Sequence, residues 1–282
     1  MRPGRPSGTA LRVALRRAAH QLLDDPRVLD DPMALRIVGD HASALRADPR
    51  AYDRTPIDRA LRAFLVARSR VAEDGLASAV AAGIRQYVVL GAGLDTFAYR
   101  NPYPDVSVFE VDAPATQAWK RSCLAAGGIE LPQRVAFVPV DFERQALADE
   151  LRRAGLDIDR PVWFSWLGVT PYLAPDAVMA TLRDIAPLAR EGGGVAFDYS
   201  VDSSSLTLRQ RAVVAVLRAR VRRAGEPFKS AFEPSELAAT LTAIGFAHVE
   251  DLDADALNAR YFAGRSDRLR VGSIGHVVVA RR

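Results

Sequence analysis

Cysteine is nearly missing from this chain: among 282 residues there is one, Cys123. No intrachain disulfide and no thiolate metal cluster can be built from it, which fits a reducing compartment and a cytoplasmic protein. A lone thiol of this kind is expected as a small buried side chain rather than a nucleophile. Lysine is almost as scarce. Of 38 basic residues only Lys120 and Lys229 are lysine, the rest arginine, and 34 acidic residues scattered among them leave a net charge of +4. That scatter argues against a basic groove, so no nucleic-acid partner is expected. The densest run, from Arg209 to Arg223, has no interleaved aromatics and reads as a solvated helix face. No stretch approaches the apolar length of a membrane span, and arginines interrupt "MRPGRPSGTALRVALRRAAHQLL" too often for the apolar core of a signal peptide. Neither HExxH nor paired Cys/His spacing occurs, so no metal is expected. What is present, 49% hydrophobic and 26% charged residues, is the balance of a soluble globular chain large enough for one α/β domain with an added cap.

Residues 1–8, with two prolines and two glycines, read as a loose tail. From residue 9 to about 82 the apolar spacing is helical throughout, giving an N-terminal helical cap. Then the period changes. "QYVVLG", "VSVFEVD", "RVAFVPVD", "PVWFSW" and "GVAFDYS" are short β-rich runs separated by helical stretches, and "AHVEDL" and "IGHVVVARR" follow a long basic helix. Alternation of this kind means parallel strands joined by crossover helices. Residues 83–282 are therefore expected to form an α/β, Rossmann-like seven-stranded, mostly parallel sheet with helices on both faces.

In such a sheet a ligand sits beyond the carboxyl ends of the strands, near the reversal of strand order. There the sequence reads "YVVLGAGLDTFAYR". Gly91 and Gly93 allow a tight turn and close backbone approach, but the third glycine of the dinucleotide fingerprint is missing. Asp95 would repel a pyrophosphate placed at this turn, whereas it suits the ammonium and sulfonium of S-adenosylmethionine. It also suits a helix cap, and the two roles are compatible. "VFEVD" ends the second strand, where an acidic side chain accepts hydrogen bonds from ribose hydroxyls. Glu110 and Asp112 share a strand face, and Asp112 lies at the lip. The third strand ends in "VPVDFER", where Asp141 can accept from an adenine amino group with Phe142 flanking the base.

These residues resemble the class I S-adenosylmethionine-dependent methyltransferases, in the branch related to leucine carboxyl methyltransferase that includes actinobacterial and polyketide O-methyltransferases. "RAAHQLLDDPRVLDDPMALRIVG", "FLVARSRVAED", "VVLGAGLDTFAYR", "VFEVDAP", "VPVDFE" and "SWLGVTPYL" carry the resemblance over nearly the whole chain. It implies that Arg68 holds the methionine carboxylate, that Gly91 belongs to the cofactor loop, that Asp112 contacts the ribose, and that Asp141 and Phe142 contact adenine. One departure stands out. Members close to leucine carboxyl methyltransferase carry Glu-Gly after the fourth strand, and here the pair is Leu167-Gly168. This disfavours a phosphatase tail as substrate and favours a small-molecule acceptor.

Methyl transfer is an in-line displacement that needs near-attack geometry and exclusion of water. A carboxylate acceptor needs no general base, and a phenol or alcohol benefits from one. None of His20, His41, His248 and His276 is singled out as that base, and each is expected to be structural. Trp166, Tyr172 and Tyr199 are the aromatic candidates for the acceptor wall. The function expected is O-methylation of a small-molecule carboxylate or hydroxyl, in a setting such as secondary metabolism. An NAD-dependent oxidoreductase and a non-catalytic cofactor-binding protein are the alternatives. Oligomeric state is not legible.

Overall fold

The computed structural model describes residues 8–140, 145–223, 227–273 and 275–282. The expected tail lies outside these residues except for Gly8, which opens the first helix. Four helices precede any strand: α1 (Gly8–Leu23), α2 (Ala34–Ile37), α3 (His41–Ala47) and α4 (Pro56–Ala81). The start of α4 is set locally. Thr55 accepts a hydrogen bond from the Asp58 amide at 3.1 Å and donates its hydroxyl to the Asp58 carboxylate at 2.6 Å, and Pro56 occupies the first turn, where a missing N–H is harmless.

Strands and helices then alternate: β1 (Gln86–Leu90), β2 (Ser107–Asp112), α5 (Pro114–Ala126), β3 (Val135–Pro139), α6 (Leu147–Arg153), β4 (Trp163–Trp166), α7 (Pro175–Ala189), β5 (Gly194–Tyr199), α8 (Leu208–Arg223), α9 (Pro234–Ile244), β6 (His248–Leu252), α10 (Ala254–Tyr261) and β7 (His276–Arg281). The sheet order is β3-β2-β1-β4-β5-β7-β6. Strands β1 to β5 are mutually parallel, and β7 runs antiparallel between β5 and β6. This is the Rossmann-like α/β arrangement read from the alternation, with its order reversal between β1 and β4, where a crevice opens at the carboxyl ends.

Period-two alternation divides the apolar side chains between two cores. Tyr87, Val89, Trp163 and Ala196 pack with α1–α5 and α10. Val88, Leu90, Phe164, Val195 and Phe197 pack with α6, α7, α8 and α9. The helices ahead of β1 thus share a core with the sheet. Helix α4 lies closest, and Gly75 makes that possible: a Cβ there would stand 2.4 Å from Trp163 Cζ2. No helix among the described residues is long and apolar enough to cross a membrane.

One buried polar cluster ties the early helices together. His20, fully buried, accepts at Nε2 from the amides of Val28 (3.1 Å) and Leu29 (3.3 Å), and its Nδ1 lies 2.5 Å from Asp24. With Nε2 accepting, the proton sits on Nδ1 and the ring is neutral. Arg62 also bonds Asp24 and reaches Asp53 at 2.9 Å. Burial first, then Arg62, lowers the His20 pKa from 6.5 to about 3. The folded pKa lies below the unfolded one, so the contribution is complete above pH 6.5 and is lost as pH falls toward 3. At pH 5 the loss is about 2 kcal/mol. Urea unfolding at pH 7.5 and 5.0 checks this: the fall in stability should shrink by that amount in His20→Gln. An equal fall in both proteins dismisses the assignment.

Candidate active site

The turn after β1 is built around two residues in the left-handed region, Gly91 at φ 65° and Gly93 at φ 41°. Both also face close neighbours. A Cβ on Gly91 would stand 2.3 Å from Val169 Cγ2, in the loop after β4, and one on Gly93 would meet Ala10 of α1 at 3.2 Å. The turn is held from β2. Asp112 Oδ2 accepts from the Gly93 amide and Oδ1 from the Ala113 amide, each at 2.7 Å. Burial pushes its pKa up while those two amides favour the ionised form. Each carboxylate oxygen accepts more than one hydrogen bond, so Asp112 keeps capacity for a further donor at the lip.

Glu110, the other acid of "VFEVD", lies out of a ligand's reach. It is fully buried, 2.7 Å from Lys120 Nζ, and accepts from the Tyr99 hydroxyl at 2.9 Å. The carboxylate available at the end of β2 is therefore Asp112.

Asp95 takes the capping role. Its Oδ1 accepts from the Phe97 amide at 2.8 Å, closing the short 3₁₀ turn Phe97–Tyr99. Its other oxygen stands 4.0 Å from Arg17 Nη1, and the side chain remains a quarter exposed. Arg17 is the centre of a lock between α1 and the glycine turn. It donates to the Leu94 carbonyl at 2.9 Å and to Thr96 Oγ1 at 3.3 Å, and pairs with Asp31 at 3.2 Å. Thr96 in turn donates to Asp31 at 2.6 Å. The sequence reading did not single out this lock, because it joins residues far apart along the chain.

Arg68, on α4, reaches the same end of the sheet. Its Nη1 donates to Asp198 Oδ2 at 2.8 Å, both groups being buried. Asp198 Oδ1 accepts from the Gly168 amide at 2.5 Å. Gly168 is also left-handed (φ 72°), and a Cβ there would stand 2.6 Å from Arg68 Nη2. Asp198 was not among the sequence candidates. The signal for it was present: "GVAFDYS" ends β5 with a carboxylate at the crevice, in the opposite strand phase to Phe197 and Tyr199. Leu167, at the position of the family's glutamate, packs against the core, and the carboxylate at this turn comes from β5 instead.

A cavity of about 120 Å³ adjoins Arg68, Gly168 and Asp198. Its walls come from α1, α4, α8 and the segments after β4 and β5, and they include Phe64, Leu65, Pro171, Tyr172, Tyr199 and Phe228. Of the three aromatic wall candidates, Tyr172 and Tyr199 line it. Tyr172 packs edge-on against Phe228, centroids 5.3 Å apart. Tyr199 donates its hydroxyl to Asp251 at 2.8 Å, with His276 Nδ1 at 3.0 Å from the same oxygen. Burial and Asp251 push the phenol pKa well up, so Tyr199 acts as a fixed donor and not as a base. Trp166 is elsewhere. It is fully buried in the core, level with Phe197 at 6.5 Å, one pleat short of Tyr199 on the same sheet face. Asp141 and Phe142 lie outside the described residues. Cys123 is half-buried, and burial raises its thiol pKa, as for an unreactive side chain.

With this geometry in view, the likeness to known proteins is specific. Residues 10–186 match the model of the leucine carboxyl methyltransferase family. A Bacillus subtilis protein named as an S-adenosyl-L-methionine-dependent methyltransferase, YktD, is 29% identical over 99% of this chain and 99% of its own. A Mycobacterium sp. protein named as the same kind of enzyme is 36% identical over 68% of this chain and 66% of its own. Among solved structures, that of a Thermobifida fusca protein described as a methyltransferase superposes over 100% of this chain and 96% of its own, with a TM-score of 0.58 at 19% identity, a likeness of fold.

Proposed function

Because the chain belongs to the leucine carboxyl methyltransferase family, whose relatives here are named as S-adenosyl-L-methionine-dependent methyltransferases, we propose that it transfers a methyl group from S-adenosyl-L-methionine to a carboxylate or hydroxyl oxygen of a small molecule. One observation carries the acceptor half of this reading: Gly168, next to the Val169 that packs on Gly91, and its neighbour Arg68 form part of the wall of a mostly apolar cavity. The cofactor half rests on the turn itself, where Gly91 and Gly93 hold positive φ and Asp112 at the lip of β2 accepts from the Gly93 and Ala113 amides.

Bound there, the cofactor supplies a methyl carbon activated by positively charged sulfur. The chain's own residues have distinct tasks. Arg68 binds the methionine carboxylate through its guanidinium fork. Asp112 accepts the ribose hydroxyls, and Asp141 with Phe142 receives the adenine. Asp95, partly compensated by Arg17, contributes negative potential beside the turn. Asp198 orients Arg68 and supplies the carboxylate that Leu167 does not. Helices α1 and α4 roof the cavity, and its apolar wall excludes water and leaves an ionised acceptor oxygen poorly solvated and nucleophilic.

Thermal unfolding with added ligand tests the cofactor assignment. At a hundredfold excess over Kd, S-adenosyl-L-methionine or its demethylated product should raise Tm by roughly 5 °C or more, and NAD should not. A shift with NAD in place of the sulfonium compound refutes the reading.

A further inference from the structure

We propose that the methyl acceptor is an acid, a small and mostly apolar molecule whose carboxylate is held by Arg12 and Arg16 of α1. The inference rests on the cavity being the acceptor site and specifies what that site selects.

Arg12 and Arg16 both line the cavity, whose remaining wall is largely apolar. Four residues apart, they share one helix face, where two like charges repel. Their charge is only partly matched. Arg12 is exposed at its outer side and has no ion-pair or hydrogen-bond partner among the described residues. Arg16 reaches Asp58 Oδ1 only at 3.3 Å, and that oxygen already accepts from Arg220 at 2.9 Å. Asp58 Oδ2 accepts from Thr55. One carboxylate thus serves two guanidinium groups. The Nε of Arg16 is buried without any partner. An N–H left unsatisfied in an apolar wall carries a desolvation penalty that a ligand oxygen would remove. Burial lowers the Arg16 pKa, Asp58 raises it through its charge and hydrogen bond, and Arg12 lowers it again.

The other charges on the wall do not offset this. Arg68 is matched by Asp198 and Arg16 shares Asp58 with Arg220, leaving Arg12 unpaired among the described residues and Arg16 half-matched. A carboxylate suits them because the guanidinium fork meets two oxygens in parallel. At about 120 Å³ the space lies below the several hundred Å³ of a drug-sized site and accommodates about one ring or a short chain.

Calorimetric titration in saturating S-adenosylhomocysteine tests the proposal, using phenylacetate, 4-hydroxybenzoate and octanoate, each beside its primary amide. At least one acid should bind tenfold or more tighter than its amide. Arg12→Gln and the double variant Arg12→Gln/Arg16→Gln should remove that preference while leaving S-adenosylhomocysteine affinity in place. Arg12 has no ion-pair or hydrogen-bond partner among the described residues, so its single variant stays informative if the double variant is unstable. Equal binding of acid and amide, no binding of any acid at millimolar concentration, or a preference that survives in both variants overturns it. Failure of S-adenosylhomocysteine itself to bind counts against the methyltransferase reading, whereas its binding without an acid preference counts against this inference alone.

Discussion

Asp198→Ala is expected to destabilise the protein by about 3–5 kcal/mol, the usual cost of removing one partner from a buried ion pair and leaving the other charge uncompensated. The pair with Arg68 is buried on both sides, and the same carboxylate also satisfies the Gly168 amide. Alanine therefore orphans two groups at once, a guanidinium and a backbone N–H. Asp198→Asn keeps an oxygen for Gly168 while removing the charge, and should lie between alanine and the parent. The double change Arg68→Met/Asp198→Leu removes both charges and should lose less than the two single changes added together, because neither ion is left alone. Urea denaturation of the parent, these variants and the single changes Arg68→Met and Asp198→Leu gives the comparison. An Asp198→Ala protein within 1 kcal/mol of the parent would show that Arg68 is solvated well enough to need no partner. S-adenosylhomocysteine should recover part of the deficit, since its carboxylate, on the proposed assignment, meets the same arginine.

The second large effect concerns the glycine turn. Asp112→Ala should weaken S-adenosyl-L-methionine binding by roughly ten- to a hundredfold, as expected for losing one or two hydrogen bonds to a charged acceptor. The loss has two parts. One is the direct contact to the ribose. The other is the anchoring of the Gly93 and Ala113 amides, which fixes the turn before ligand arrives. Asp112→Asn separates them imperfectly but usefully. Its amide retains one acceptor oxygen and presents an NH₂ where an acceptor is needed, so one backbone amide must lose its partner. Isothermal titration with S-adenosylhomocysteine reads the affinity, and amide hydrogen exchange at Gly93 reads the anchoring. Unchanged affinity in Asp112→Ala would remove this carboxylate from the cofactor site.

The elements that were legible in the sequence are those whose signal is local. Alternation of short β-rich runs with helices marked all seven strands, most clearly the central β1, β4 and β5, which are buried on both faces and therefore mostly apolar. The glycine turn was legible for a similar reason, since positive φ at Gly91 and Gly93 is a property of the residues themselves. What escaped depends on separation and depth. Arg68 and Asp198 lie 130 positions apart, and no pattern within either segment reports the other. Trp166 sits at the right end of β4 and on the same face as Tyr199, yet it is level with Phe197 and so lies one pleat deeper, inside the core; the sequence names the strand end and not the depth. Asp95 shows a third kind of ambiguity. A carboxylate two residues ahead of an amide can close an Asx turn or receive a cation, and the bond to Phe97 establishes the former.

The placement of β7 bears on how the molecule is made. The strand pairs with β5 on one side and β6 on the other, so β6 has no neighbour in the sheet until β7 has left the ribosome. Strands β1 to β5 can assemble as they emerge, but β6, with its own apolar residues Val249 and Leu252, must wait at an open edge. Clipping even a short piece that includes Val277–Ala280 would thus remove two strands from the sheet while deleting only one from the polypeptide, and would leave β5 as an exposed template for association between nascent chains.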